Sequence, residues 1–144
     1  LKIENLILAA PDIDLGIARQ RLLAERFARN FKRITVYLNP DDQALAMAQW
    51  LLTGTRFGRI DAGDLTAADR QIFARLGNVN FVNTRRAVGR TSHSYFRENP
   101  AVVSDIVQIL RHDAPPGSAA RPLQPRPGPF WELTPDYLLA PGNG

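Results

Sequence analysis

Two histidines, four serines and two clusters of aspartates are the residues of this 144-residue chain whose types suit catalysis. The histidines are His93 and His112, and the serines are Ser92, Ser94, Ser104 and Ser118. Asp12 and Asp14 follow one apolar run, and Asp41 and Asp42 follow another. A histidine with a carboxylate is two-thirds of a hydrolytic triad. The imidazole takes a proton from a hydroxyl nucleophile and returns it to the leaving group, while the carboxylate fixes its tautomer. The chain has no cysteine, which excludes a thiol nucleophile, a thiolate metal site and any disulfide. With two histidines a zinc site has to lean on carboxylates, so neither metal nor cofactor is expected. No glycine-rich loop follows a strand-like run, since Gly54, Gly58 and Gly63 fall beyond a helix, and this argues against a flavodoxin-like phosphate-binding domain.

These residues need elements to carry them. Leu6-Ile7-Leu8-Ala9-Ala10 is a continuous apolar run stopped by Pro11, the pattern of a strand buried on both faces. Asp14 is a good N-cap for a helix over 15–29, where Ile17 or Ala18, Leu22 and Phe27 recur at helical spacing. A second strand is expected over 34–38, rich in β-branched and aromatic residues. Asn39-Pro40-Asp41-Asp42 is a turn, followed by a helix over 43–52 with Gly54 as its stop. Thr66 and Asp69 form a capping box for a helix to residue 76. A third strand covers 79–82, and 84–97 is mostly loop and carries His93. Asn99 as N-cap and Pro100 at the first helical position open a last helix, ending near His112.

Strands alternating with helices predict an α/β fold: a parallel sheet of about three strands in a three-layer arrangement, with helices on both faces. In such a sheet the strand C-terminal ends share one edge, where ligands bind. Asp12 and Asp14, then Asp41 and Asp42, then the His93 loop each follow one of those ends. From residue 114 the composition changes, because eight of the eleven prolines lie between Pro115 and Pro141. The expected division is therefore a domain over 1–113 and a Pro-rich, extended tail over 114–144. Phe130-Trp131-Glu132-Leu133 is an apolar island in that tail, expected to anchor it on the body.

The run Leu8-Ala9-Ala10-Pro11-Asp12-Ile13-Asp14 opens a recognisable series. It continues with Tyr37 through Asp42-Gln43-Ala44-Leu45, then His93-Ser94-Tyr95-Phe96, then Asn99-Pro100-Ala101-Val102-x-Ser104-Asp105. Over residues 1–112 this resembles the C-terminal half of a bacterial α/β-hydrolase family of unknown function, described as serine esterases or lipases. The resemblance implies that the three strands are the sixth to eighth of a hydrolase sheet. It implies that His93 takes the place of the catalytic base and Asp42 that of the triad acid, with Asp41 and Asp14 as rivals. A lone histidine reads first as a surface or capping residue, and its place in the motif reverses that. His112 suits a helix C-terminus, where a cation is favoured. The departure from the family is the nucleophile: no Gly-x-Ser-x-Gly occurs, and none of the four serines stands between a strand and a helix in that way. The glycine-containing oxyanion loop is missing too, so the chain alone is expected to be inactive as an esterase.

Partners follow from the same reading. The chain starts with Leu just before a buried-type strand, and reads as a piece of a longer polypeptide. Its first strand is expected to present an open edge, to be covered by the missing N-terminal half of the hydrolase domain or by a second copy. The substrate class implied for the intact protein is a small ester. The alternative is a non-catalytic α/β module that binds a protein or a small ligand. The net charge is +4, but the basic residues are scattered along the chain rather than clustered, and no nucleic-acid partner is expected. No apolar run approaches the roughly 18 residues of a membrane span, and no signal peptide is visible, so a soluble protein is expected.

Overall fold

The structure is a computed structural model, and it describes residues 3–9, 27–38, 77–84, 98–126 and 128–139. Strands β1 (Ile3–Ala9), β2 (Phe31–Leu38) and β3 (Val79–Asn83) are the three apolar runs of the sequence. They pair in parallel, with Ile7 opposite Thr35 and Val36 opposite Phe81. Because side chains alternate along a strand, this register sorts them onto two faces. Ile7, Ala9, Tyr37 and Val82 share one face; Leu6, Leu8, Ile34, Val36, Val79 and Phe81 share the other. In β2 and β3 the members of both sets are buried. Their apolar pattern is therefore continuous rather than alternating, as in the interior of a parallel sheet.

The sheet has five strands rather than about three, in the order β1-β2-β3-β5-β4. The extra two come from the Pro-rich segment: β4 (Gln124–Pro125) and β5 (Phe130–Glu132). β5 runs parallel to β3, and β4 returns antiparallel to β5. Prolines do not obstruct this. Pro129 lacks a donor but offers its carbonyl to the Phe81 amide at 2.9 Å, and Pro125 lies in the edge strand, where prolines are tolerated. The aromatic island lies in β5 itself. Phe130 stacks on Phe81 with ring centroids 5.3 Å apart, and Trp131 Nε1 donates to Asn80 Oδ1 at 3.1 Å. Trp131 also lies against Gly117, whose φ of +78° suits glycine and where a Cβ would meet the indole ring at 2.8 Å.

Before β2, the described end of the first expected helix is a 3-10 turn, Phe27–Asn30, rather than the last turn of an α-helix. Asn78 ties it down, donating from Nδ2 to the carbonyls of Ala28 (2.6 Å) and Phe31 (2.9 Å). The helices expected over 43–52 and 66–76 lie outside the described residues.

Helix α1 (Pro100–His112) follows β3. Asn99 caps it: its Oδ1 accepts from the amides of Ala101 (2.9 Å) and Val102 (3.2 Å), and Pro100 occupies the first turn, where no donor is needed. It ends at Asp113 in the left-handed conformation, φ 48° and ψ 34°, with the Asp113 amide on Ile109 O at 3.0 Å and the Ala114 amide on Gln108 O at 3.3 Å. Ala101, Val102, Asp105 and Ile109 form its buried face. The core there joins Tyr37, Val82, Ala101, Val102 and Ile109 to Leu123, Leu133 and Tyr137, with Ile7, Ala9, Ile106 and Trp131 packed around them. The core thus draws on residues from both sides of residue 113. A short 3-10 turn, Tyr137–Leu139, ends the described chain.

Candidate active-site edge

The candidate site belongs to the edge where β1, β2 and β3 end. Ala9 lies opposite Tyr37, Tyr37 opposite Val82, and Leu38 opposite Asn83, so the three strands finish level with one another. Asp14 follows the end of β1 by five residues, Asp42 the end of β2 by four, and His93 the end of β3 by ten. His93, Asp42, Asp41 and Asp14 themselves lie outside the described residues, and so do Ser92 and Ser94. What the structure establishes is the frame: three parallel strands ending at a common edge, each continued by one of the acid or histidine segments.

α1 runs back from that edge toward the opposite one. Its Asp105 meets Tyr37 near the end of β2, and its terminal Asp113 meets Asn5 and Arg33 near the strand starts. The lengths agree. Eight helical residues from Asp105 to Asp113 advance about 12 Å, and four strand residues from Tyr37 back to Arg33 cover about 13 Å. Five more residues toward Pro100 add about 7.5 Å. The start of α1 therefore stands about 4 Å beyond Leu38, past the end of β2.

Next to this edge lies a polar cluster that sequence reasoning missed. Asp105 and Arg121 are both completely buried and form a bidentate pair: Arg121 Nε donates to Asp105 Oδ1 and Arg121 Nη2 to Asp105 Oδ2, each at 2.8 Å. The hydroxyl of Tyr37 donates to Oδ2 at 2.5 Å and that of Tyr137 to Oδ1 at 2.7 Å. Arg121 Nη1 donates to the Ala114 carbonyl at 3.1 Å. Each carboxylate oxygen thus accepts two hydrogen bonds, the condition under which a buried charge is tolerated. Burial, followed by the neighbouring Asp105 charge, holds the Tyr37 hydroxyl well above the ordinary tyrosine range and raises that of Tyr137 in the same way. Burial works against the Arg121 charge, but the hydrogen bonds to Asp105 and its field outweigh that and raise the guanidinium further. One sequence signal was present: Asp105 falls on the apolar face of α1, in phase with Ala101, Val102 and Ile109. Its partner Arg121, in a Pro-rich stretch, carried none.

At the opposite edge Asp113 gathers a second cluster. Its Oδ1 accepts from Asn5 Nδ2 and Arg33 Nη1, each at 2.9 Å, and Oδ2 accepts from Lys32 Nζ. These donors, Lys32 first and Asn5 next, hold its carboxyl down at about 2. This cluster closes the C-terminal end of α1 over β1 and β2, away from the site edge. Among the described residues no group of three or more histidine, cysteine or acidic side chains is placed to hold a metal ion. Among them, too, no helix is long and apolar enough to cross a membrane.

Comparison with known proteins agrees with this frame. Searches of curated proteins and of solved structures found no match. The family described as Alpha/beta hydrolase of unknown function matches residues 1–112, which takes in β1, β2, β3 and α1 and covers more than half of the chain. With its parallel strands ending at one edge, the chain belongs to that family of α/β hydrolases, DUF900.

Proposed function

We propose that this chain is the C-terminal part of a serine hydrolase of the esterase or lipase kind, carrying the triad base and acid. His93 is the base and Asp42 the acid, with Asp41 and Asp14 as the alternatives for the acid. The observation that carries the reading is the level ending of β1, β2 and β3, from which the acid-bearing and histidine-bearing segments depart at one edge. In an α/β hydrolase that edge is where catalysis is done, and the chain order of acid before histidine fits it. The proton relay takes the serine proton onto His93 while Asp42 stabilises the imidazolium, and His93 then protonates the leaving alkoxide. The serine must come from outside these 144 residues, which contain no Gly-x-Ser-x-Gly, so the chain by itself does not hydrolyse esters.

The sheet edges support the same reading. The β4 edge is two residues long and contains a proline, which is how natural sheets end. β1 is seven residues long, apolar from Leu6 to Ala9, and half-buried over its last five residues. It carries no proline or charge beyond Glu4. That is the pattern of an interior strand, and we assign its outer edge to a strand of the N-terminal half of the hydrolase domain.

A fluorophosphonate probe with intact-mass detection tests the proposal on this chain and on the longer native polypeptide. The longer polypeptide is expected to label on one serine outside these residues, with labelling abolished by His93→Ala. Labelling that survives His93→Ala refutes the assignment of the base. Absence of labelling in the longer polypeptide refutes the serine-hydrolase reading, and a non-catalytic binding module takes its place.

A further inference from the structure

α1 is apolar on more than the side that meets the sheet. Ala101, Val102, Asp105 and Ile109 form its buried face. Val103, Ile106, Val107 and Leu110 follow the i, i+3, i+4, i+7 spacing of a second face, a stripe about 100° wide. Leu110 is 68% exposed and Val103 38%, and these two mark the ends of the stripe. Ile106, at its inner margin, packs against the core. Ser104, Gln108 and Arg111 share one narrow polar strip on the remaining side. A single exposed aliphatic is ordinary, but four in helical register are a packing face.

The contacts of α1 show which way this stripe looks. Asp105 meets Tyr137, from the segment after β5, and Asp113, eight residues on and turned by about 80°, meets Asn5 of β1. Continuing round the helix in the same sense leads to Ile106, then Leu110, Val103 and Val107. The stripe therefore begins on the β1 side of α1 and rises away from the sheet. That is the side of the outer β1 edge, whose apolar run and half-buried residues are those of an interior strand. Strands in a sheet lie about 4.8 Å apart and packed helices about 8–10 Å, so one helix covers about two strands. α1 stands over β1 and β2, which it meets at Asn5, Arg33 and Tyr37. A strand added outside β1 lies beyond that cover, and a parallel sheet buries both of its faces. The helix that covers such a strand comes to rest alongside α1, on this stripe.

We infer that the stripe of Val103, Ile106, Val107 and Leu110 seats a helix of the polypeptide that supplies the serine, the helix that covers the strand beyond β1. The inference rests on the serine-hydrolase reading above and adds to it the face by which the two halves recognise each other. The stripe carries no charge, so the partner helix is amphipathic and presents aliphatic side chains at the same spacing.

Cysteine accessibility tests this on the longer native polypeptide and on this chain, which has no cysteine of its own. Val103→Cys and Leu110→Cys mark the two ends of the stripe, about 10 Å apart along the helix, and Arg111→Cys marks the polar strip. Maleimide labelling at each position is followed by peptide mass, and a thermal melt confirms that each variant is folded. In this chain the stripe positions are expected to label readily. In the longer polypeptide both are expected to slow by about tenfold or more, since a thiol in a packed seam reacts only when the seam opens, while Arg111→Cys keeps its rate. Unchanged rates at both stripe positions overturn the inference. Slowing at one end only also overturns it, because a segment that crosses α1 is then the occupant rather than a helix lying along it. Slow labelling in this chain alone that recovers on dilution assigns the stripe to a second copy, with the same consequence. Fluorophosphonate labelling of the same longer samples keeps the two claims apart. A labelled serine beside an unprotected stripe leaves the hydrolase reading standing and removes the helix, whereas no labelled serine removes the reading and with it the named partner.

Discussion

Replacing Arg121 by methionine isolates the largest single electrostatic commitment in the described structure. Arg121 is fully buried and supplies two of the four hydrogen bonds that Asp105 accepts, plus one to Ala114 O. Methionine keeps most of the apolar stem and removes the charge. Asp105 is then a buried carboxylate with two tyrosine hydroxyls and no counter-charge. Breaking a buried pair from one side costs about 3–5 kcal/mol, against roughly 5–15 kcal/mol for the whole stability of a domain of this kind. With a urea m-value of about 1.5 kcal/mol/M, the denaturation midpoint is expected to fall by about 2–3 M. Adding Asp105→Asn removes the stranded charge while leaving an amide oxygen for the tyrosine hydroxyls, and the double variant is expected to regain at least half of the loss. Urea titrations at pH 7, followed by the fluorescence of Trp131 and Trp50, measure both. A loss below about 1 kcal/mol at unchanged m, with no recovery in the double variant, refutes the claim that this pair is buried and carries the cluster.

Two further outcomes follow from the geometry. Asp113 is held at about 2 by Lys32, Asn5 and Arg33; its folded-state value lies below the unfolded one, so the stabilisation is complete above the unfolded value and is lost as pH falls through about 2. Asp113→Asn is therefore expected to be less stable than the parent at pH 6 and to converge with it near pH 2, as read from denaturant midpoints across that range; a difference that does not depend on pH refutes the ionic account. Gly117→Ala places a Cβ 2.8 Å from Trp131 at a φ of +78°, and is expected to cost about 1–3 kcal/mol, with Trp131→Leu relieving part of it in a double-variant cycle.

How much of this was legible in the sequence depends on the range of the interaction. β1 was visible as the continuous apolar run ending at Ala10, and β2 as the β-branched and aromatic stretch Ile34–Leu38, while β3 was read from the short run Val79–Val82, in which Asn80 stands among apolar residues. α1 was visible to within a residue because Asn99 and Pro100 act locally, on amides two and three positions away. Its end was marked less openly, since Asp113 takes the left-handed position that glycine more often fills. β4 and β5 lie in the segment expected to be extended and anchored by its aromatic island; that they pair into the sheet was not foreseen, because nothing local says which strand edge an extended segment joins. Pro125, in the edge strand, and Pro129, which offers its carbonyl to Phe81, sit where no donor is required, and the signal that mattered was the Phe130-Trp131 pair. The Asp105 cluster was beyond local reading altogether. Arg121 is 16 residues from Asp105, and Tyr37 is 68 away on another element. Of the candidate site, the sequence supplied the residues and the structure supplied the edge they follow.

The match to the α/β-hydrolase family ends at residue 112, but the physical unit does not. Tyr37 and Asp105 lie inside the match, while Arg121 and Tyr137 lie beyond it, and all four meet at one buried carboxylate. A polypeptide ending at residue 112 keeps the acid and loses its counter-charge, and it loses Leu123, Leu133 and Trp131 from the apolar layer over the same face of the sheet. It also exposes the β3 edge that β5 covers. A Pro-rich stretch serves here because it returns one strand, one guanidinium and one hydroxyl to the right places. The segment after residue 112 is thus packed into the same unit as β2 and α1: its Arg121 neutralises the buried Asp105, whose carboxylate joins the end of β2 to α1.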